Sequence, residues 1–379
     1  MTSRQPSPVP GSIPGTLSGP LSGPLSRRTV LAGGLGALAV PLLAACSDDA
    51  PAAGATPGTA ATLNLAYFAN LTHAAALIGV AEGLFTAELG STELVEQVVN
   101  AGPSAVEGLL GGSIDAAYIG PGPTINAHAQ SDGQIVRIVA GATSGGASLV
   151  VRAGITSAED LRGLTLASPQ LGNTQDVALR NWLAEQGLET SVEGGGDVTI
   201  APLSANADSL TLLQSGEIDG AWMPEPWATR LVLEAGGTTL VDERDLWPEG
   251  QFVTTHLVVR TEYLAQYPET VAALLRGHVA AVTRAVDDPA GAREVVNGRL
   301  EELTGSALSE ETIATAWEHL AVTEDPVAAS LQAAMEHAVT AGTLDAEVDL
   351  GGLYDLRPLN AELSAQGLEP VSAGGLGEE

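Results

Sequence analysis

Residues 168–176, Ser-Pro-Gln-Leu-Gly-Asn-Thr-Gln-Asp, join a short apolar run to an Ala/Leu-periodic one. The stretch offers amides, a hydroxyl and small residues, but no cation and no obvious nucleophile. Between a strand and a helix, Gln170, Gly172, Asn173, Thr174 and Gln175 stand where the helix's first N–H groups lack intrahelical acceptors. That end of a helix carries partial positive charge, so a small oxyanion can be held there without a lysine. Capping alone accounts for one Asn or Thr, not for three polar residues in a row flanked by Pro169 and Gly172.

Other stretches offer the same chemistry. Asn70, Thr72 and His73 occupy a matching helix start, where the histidine donates to an anion, caps the helix or fills a polar rim. Tyr118-Ile-Gly-Pro-Gly-Pro provides Gly120 and Gly122 for close backbone approach, or forms only a rigid turn. Thr143, Ser144 and Gly145, in "GATSGGA", add hydroxyls and bare amides, or merely open a hinge. Trp222 offers a ring to close over an alkyl chain, although a buried Trp more often serves the core. Glu225 offers a carboxylate for a cationic group of a solute or for a partner's surface.

These loops need a frame, and internal similarity supplies one. The segments starting at Leu63 and Leu164 each read strand, polar loop, then a helix stopping at Gly-Leu. Further on, "LLGGSIDAAYIGPGP" (109–123) echoes "LLQSGEIDGAWMPEP" (212–226). Leu63 precedes Ile114 by 51 positions and Leu164 precedes Ile218 by 54. Matched order at matched spacing predicts two α/β lobes with the loops at the C-terminal ends of parallel strands, where ligands bind in such sheets. Asp115 and Asp219 hold equivalent places and are assigned to structure. "ASLVVR" (147–152) is expected to end the first lobe and "THLVVR" (255–260) to return to it. The expected division is lobe 1 over 62–150 plus 256–365, lobe 2 over 151–255, and a flexible tail over 366–379. Helix starts are expected at Ser309 and at Asp325-Pro326.

Composition limits the function. The chain has 379 residues and a formal net charge of −31, with 15 Lys plus Arg against 46 Asp plus Glu. Nucleic acid is excluded as a partner, because phosphate binding needs a basic surface. The single cysteine rules out an internal disulfide and multi-cysteine metal sites. No GxSxG, Walker loop or HExxH occurs, and the six histidines are scattered singly. The expectation is a non-enzyme without cofactor or metal.

Residues 1–46 read as an export address. Arg27 and Arg28 precede an apolar run from Val30 to Ala45, 16 residues long, shorter than the roughly 20 a membrane span needs. The run suits a signal h-region, and the pair resembles a twin-arginine signal. Leu43-Ala44-Ala45-Cys46 resembles a bacterial lipobox, which implies lipidation of Cys46 and a flexible linker over 47–61.

The stretches "NLTHA", "IDAAYIGPGP", "GATSGGASLVVR", "LASPQLGNTQDVALRNWL", "GEIDGAWMPEPWATRLV" and "YDLRPLN" resemble the solute-binding lipoproteins of ABC importers. The branch is that of aliphatic sulfonates, taurine and nitrate, related to binders of thiamine-pyrimidine precursors. The resemblance spans roughly residues 62–360. It implies a periplasmic-binding-protein-like (type II) fold with helical C-terminal parts packed on lobe 1. It further implies a lipid-anchored monomer outside the cytoplasmic membrane, handing a small anionic solute to a permease and its ATPase. An aliphatic sulfonate is the first expectation. Nitrate, taurine, a pyrimidine precursor, or ligand sensing without transport are the alternatives.

Overall fold

The structure, a computed structural model, describes residues 57–379. The export signal, Cys46 and most of the expected linker lie outside the described residues.

Among the described residues, thirteen strands form two sheets. The larger has eight strands: β1 (Thr62–Tyr67), β2 (Glu93–Val98), β3 (Ala116–Ile119), β4 (Val136–Gly145), β10 (Val253–Arg260), β11 (Leu320–Val322), β12 (Tyr354–Asp355) and β13 (Gly377–Glu378). Its order is β13-β12-β4-β10-β3-β1-β2, with β11 also paired to β4. The smaller holds β5 (Ala147–Val151), β6 (Thr165–Ser168), β7 (Thr199–Pro202), β8 (Gly220–Pro224) and β9 (Thr238–Asp242), in the order β7-β6-β8-β5-β9.

The repeat is visible in the topology. β1 lies parallel between β2 and β3, as β6 lies parallel between β7 and β8. Beyond β3 comes antiparallel β10 and beyond β8 antiparallel β5. The equivalent aspartates perform the same task in each half. Asp115 Oδ2 accepts from Asn64 N at 2.9 Å, and Asp219 Oδ2 from Thr165 N at 2.9 Å, each tying the first strand of its unit. Each carboxylate also meets an arginine, Arg260 and Arg152 respectively.

The first eight-stranded lobe encloses the main core, from Leu63 and Leu65 to Leu274, Leu275 and Val279, all unexposed. Helices α1 (Ala74–Ala81) and α2 (Leu84–Leu89) pack there against the long helix Pro268–Asp287. Gly277 of that helix is forced by close approach, since a Cβ would sit 2.8 Å from the Phe85 ring. The C-terminal helices do not all stay on lobe 1. Helix Leu331–Thr340 also meets lobe 2, where Val177 clusters with Ala338 and Ala341.

Three expectations are corrected. β5 pairs with β8 and β9, so the chain changes lobe at Gly146 rather than after residue 150. Gly145 and Gly146 take φ of +73° and +79°, which lets the crossing be made without a linker. Asp325-Pro326 does not start a helix. The Asp325 carboxylate accepts from Val327 N, Val327 has φ +47°, and the segment packs on Gly141 of β4. The last residues are not free: β13 pairs with β12, Ala373 is fully buried, and Asn360 brackets Val371 with two hydrogen bonds. At the other end, Gly58 and Ala60 are already tied to Glu269 and Thr270.

Candidate functional site

Helix α3 (Gly102–Gly111) precedes β3, and α4 (Pro121–Gln130) and α5 (Thr174–Glu185) follow β3 and β6. Gly120 is the N-cap of α4 and Asn173 the N-cap of α5, whose side chain accepts from Thr174 N at 3.0 Å. Asn70 caps the 3-10 turn Leu71–His73 that runs into α1. The starts of α1, α4 and α5 therefore belong to both lobes and converge on one small cavity of about 20 Å³. Its walls include Asn70, Thr72 and His73 from lobe 1, Asn173, Thr174, Gln175 and Asn206 from lobe 2, and Thr254 and Thr255 of β10. Every polar side chain on that wall is uncharged at neutral pH. Among them the Thr174 hydroxyl is buried without a hydrogen-bond partner, which a protein interior tolerates poorly.

His73 belongs to this uncharged set for a physical reason. Complete burial pushes its imidazolium down to about pKa 3, so the ring is neutral. It stacks on Phe68 with centroids 4.3 Å apart, and its Nδ1 accepts from Phe68 N at 3.4 Å. With Nδ1 accepting, Nε2 carries the ring's proton and is a donor.

The loop before α5 is braced from behind. Asp176, fully buried, accepts from Ser168 Oγ at 2.6 Å, Gly172 N at 3.0 Å and Arg180 Nε at 3.1 Å. Gly172 sits at φ +76°, a conformation that favours glycine. The cation absent from the loop itself thus lies one helical turn beyond Asp176, paired and out of reach of solvent.

The lobes meet closely around the cavity. A Cβ on Gly120 would lie 2.1 Å from Thr174 Oγ1, and one on Gly122 would lie 3.2 Å from both Gly172 O and Thr174 N. Leu71 N donates to Glu225 O at 3.1 Å, and Trp227 Nε1 to Asn70 Oδ1 at 2.9 Å. Both bonds cross from one lobe to the other. The two lobes are thus in direct contact around the cavity.

Several residues expected at the site are elsewhere. Trp222 is fully buried in the lobe 2 core, where its Nε1 donates to Glu243 Oε2 at 2.8 Å and its ring lies 6.1 Å from that of Trp182. All five residues of β8 are buried, so a large ring there fills the interior. Glu225 turns away from the cavity: its carboxylate accepts from Thr229 N and Thr229 Oγ1, and faces a separate space of about 90 Å³ with Ser148 and His319. Burial raises its pKa to about 7. Thr143, Ser144 and Gly145 form the end of β4 rather than a loop. Thr143 donates to Thr72 O at 2.7 Å and Gly145 O accepts from Thr254 Oγ1, so they support the wall without lining it. Gln170 contributes its carbonyl to Asn173 N.

Sequence reasoning missed Phe68, Asn206, Thr254, Thr255 and Trp227. The last opens the helix Trp227–Leu233 and lines a larger groove of about 440 Å³ that shares Phe68, Asn70 and Asn206 with the cavity. No group of His, Cys, Asp and Glu able to hold a metal occurs among the described residues.

Comparison with known proteins places the chain. The profile of the NMT1-like family matches residues 56–298. The taurine-binding periplasmic protein of Escherichia coli (strain K12) is 28% identical over 218 residues, covering 56% of this chain and 64% of that protein. The chain thus spans just under two thirds of that relative's length. The alkanesulfonate-binding protein from Xanthomonas axonopodis pv. citri bound to MOPS superposes with a TM-score of 0.63 at 20% identity, covering 76% of this chain and 96% of the other. The periplasmic nitrate-binding protein from Synechocystis PCC 6803 gives 0.63 at 14% identity, covering 82% and 90%. The shared architecture is the two-lobed periplasmic-binding-protein-like (type II) fold.

Proposed function

The chain belongs to the NMT1-like family, and from that premise we propose that it is the solute-binding component of an ABC importer. It captures a small anionic solute between its lobes and delivers it to a membrane permease driven by an ATPase. One observation carries this reading: three helix starts from two lobes surround a cavity whose side-chain donors are all uncharged. In a chain of net charge −31, bulk electrostatics repels anions. Helix-end dipoles and fixed donors attract one locally.

Within that class, an aliphatic sulfonate is the solute this reading favours. Its oxygens would accept hydrogen bonds from the Thr174 hydroxyl, the Asn173 and Asn70 side-chain amides and neutral His73, and its substituent would leave the cavity on the open side. The names of the similar proteins, for alkanesulfonate and taurine, support the class. Taurine itself is less suited, because its ammonium needs a carboxylate and Glu225 faces another space. A bare oxyanion such as nitrate is the second reading, favoured by the cavity's small volume, room for little more than a water. Thiamine-pyrimidine precursors and a sensing role without transport remain the more distant alternatives.

The twin-arginine-like and lipobox-like residues favour export and anchoring by lipid on Cys46 to the outer face of the cytoplasmic membrane, and the family resemblance favours a monomer. A solute that binds only the folded protein raises its melting temperature by mass action. A thermal-shift screen of purified protein against alkanesulfonates, taurine, nitrate, bicarbonate and pyrimidine precursors is the test. A rise with one of the anions is the expected result; turnover of the solute, or a response only to the pyrimidines, would overturn the reading.

A further inference from the structure

The cavity and the groove are two rooms with a common wall. Phe68, Asn70 and Asn206 line both, yet the cavity holds about 20 Å³ and the groove about 440 Å³. The larger volume lies within the range of pockets that bury whole organic ligands, roughly 300–1,000 Å³. A bare oxyanion would use the first space and leave the second empty of function.

The groove's walls suit an apolar group. Phe68 is 6% exposed, Leu300 is buried, and Leu308 packs against the same core. Trp227 stands at the junction, its ring fixed by the bond from Nε1 to Asn70 Oδ1. The one basic side chain on the groove, Arg230, lies 4.7 Å from the Trp227 ring centroid and holds Glu234 by two bonds of 2.8 Å and 3.0 Å. That pair cancels the carboxylate facing the groove, so an incoming anion meets no uncompensated negative charge there. Asn70 joins the two spaces directly, because its side chain lines the cavity and accepts from the groove's tryptophan.

We propose that the groove seats the substituent of the captured anion, and that Trp227 selects solutes whose substituent is a bulky, ring-sized apolar group. This rests on the anion-capturing role proposed above and narrows it. A two-carbon or inorganic solute would leave the half-buried faces of Trp227 and Leu308 in water. A ring would displace that water and stack on the face of Trp227 opposite the guanidinium. The polar head then fixes the solute by charge, and the groove sorts solutes by size.

Calorimetric titration of the purified protein with methanesulfonate, hexanesulfonate, benzenesulfonate and naphthalene-2-sulfonate tests this, with nitrate alongside. Burial of the added apolar surface predicts that affinity climbs at least about tenfold from methanesulfonate to the naphthalene compound. Trp227→Ala should flatten that ratio and Trp227→Phe should retain most of it. Because Trp227→Ala could disturb folding through Asn70, Leu308→Gln provides a second variant, expected to shrink the ratio from the opposite wall. Equal affinities across the wild-type series, or binding of nitrate alone, would overturn the groove's role while leaving anion capture intact. No binding by any member would overturn both.

Discussion

Thr174 and Asn173 carry the heaviest burden among individual residues, the first with a buried hydroxyl lacking any partner and the second capping the helix that points into the cavity. Thr174→Val keeps shape and removes the donor, so affinity for a bound sulfonate should fall by about 1 kcal/mol, several-fold in Kd, with the melting temperature of the free protein unchanged or raised. Asn173→Ala should cost a similar amount of affinity, read by calorimetry. Unaltered Kd in both variants would count against the helix-start site. His73 acts here as a neutral donor, since its pKa lies near 3, and affinity should therefore stay level between pH 5 and 8 as far as this ring is concerned. At this scale the sequence was informative wherever a local signature existed. Asn70, Thr72, His73, Gly120, Asn173, Thr174 and Gln175 all sit at helix starts that follow strands, and the structure brings all seven to one cavity. Asn206 carries the same signature, in the loop between β7 and the helix Asp208–Ser215, and was overlooked. Thr254 and Thr255 lie within β10 and have no such signature, since only the return crossing between lobes brings them there. Trp222 and Trp227 are indistinguishable by type, and the buried setting of β8 assigns the first to the core.

Among the elements, the repeated unit makes its own predictions. Asp115 and Asp219 tie the first strand of each half by the same bond to the same position. Asp115→Ala leaves Asn64 N and its side-chain amide without their acceptor. The loss of stability should be about 1–3 kcal/mol in urea unfolding, with little effect on affinity. Asp219, more exposed beside Arg152, should cost less. Closure depends on another element-level contact. Gly120→Ala would drive a Cβ to within 2.1 Å of Thr174 Oγ1, so the start of α4 could no longer meet that of α5. Small-angle scattering should then find no compaction on adding solute, although the protein remains folded. The doubled unit was legible because matched order at nearly matched spacing, 51 against 54 positions, survives divergence of side chains. The lobe crossing was less so: a run of apolar residues such as 147–152 reads as strand in either sheet, and only pairing decides which one.

For the molecule as a whole, buried ionisable groups set how stability changes with pH. Burial holds His73 near pKa 3 and His256 and His278 near 4, against 6.5 for a free ring. Below pH 6.5 the unfolded chain binds protons that the folded one refuses, so these three histidines cost stability as the pH falls toward 4. Glu225 and Glu243 act in the opposite sense, because burial raises both to about 7 from 4.5. Their contribution is complete below pH 4.5 and is lost as the pH rises through 7. Glu243→Gln keeps an acceptor for Trp222 Nε1 and removes the titration, so its unfolding free energy in urea should gain on the wild type's as the pH rises from 5 to 8. The gain should reach about 3 kcal/mol at most, at 1.4 kcal/mol per pKa unit. A constant offset across that range would show that Glu243 does not titrate as placed. None of this was visible in the sequence, where Glu243 is one carboxylate among 46 acidic residues.

Whether negative charge on the guest is what the lobes recognise can be settled by one comparison. Calorimetric titration with an alkanesulfonate and with the uncharged sulfonamide of the same chain varies charge while nearly preserving shape. Helix starts and neutral donors aimed at an oxyanion predict measurable binding of the sulfonate and a loss of at least about tenfold for the sulfonamide. Equal affinity for the two would mean that the gap between the lobes sorts by shape alone.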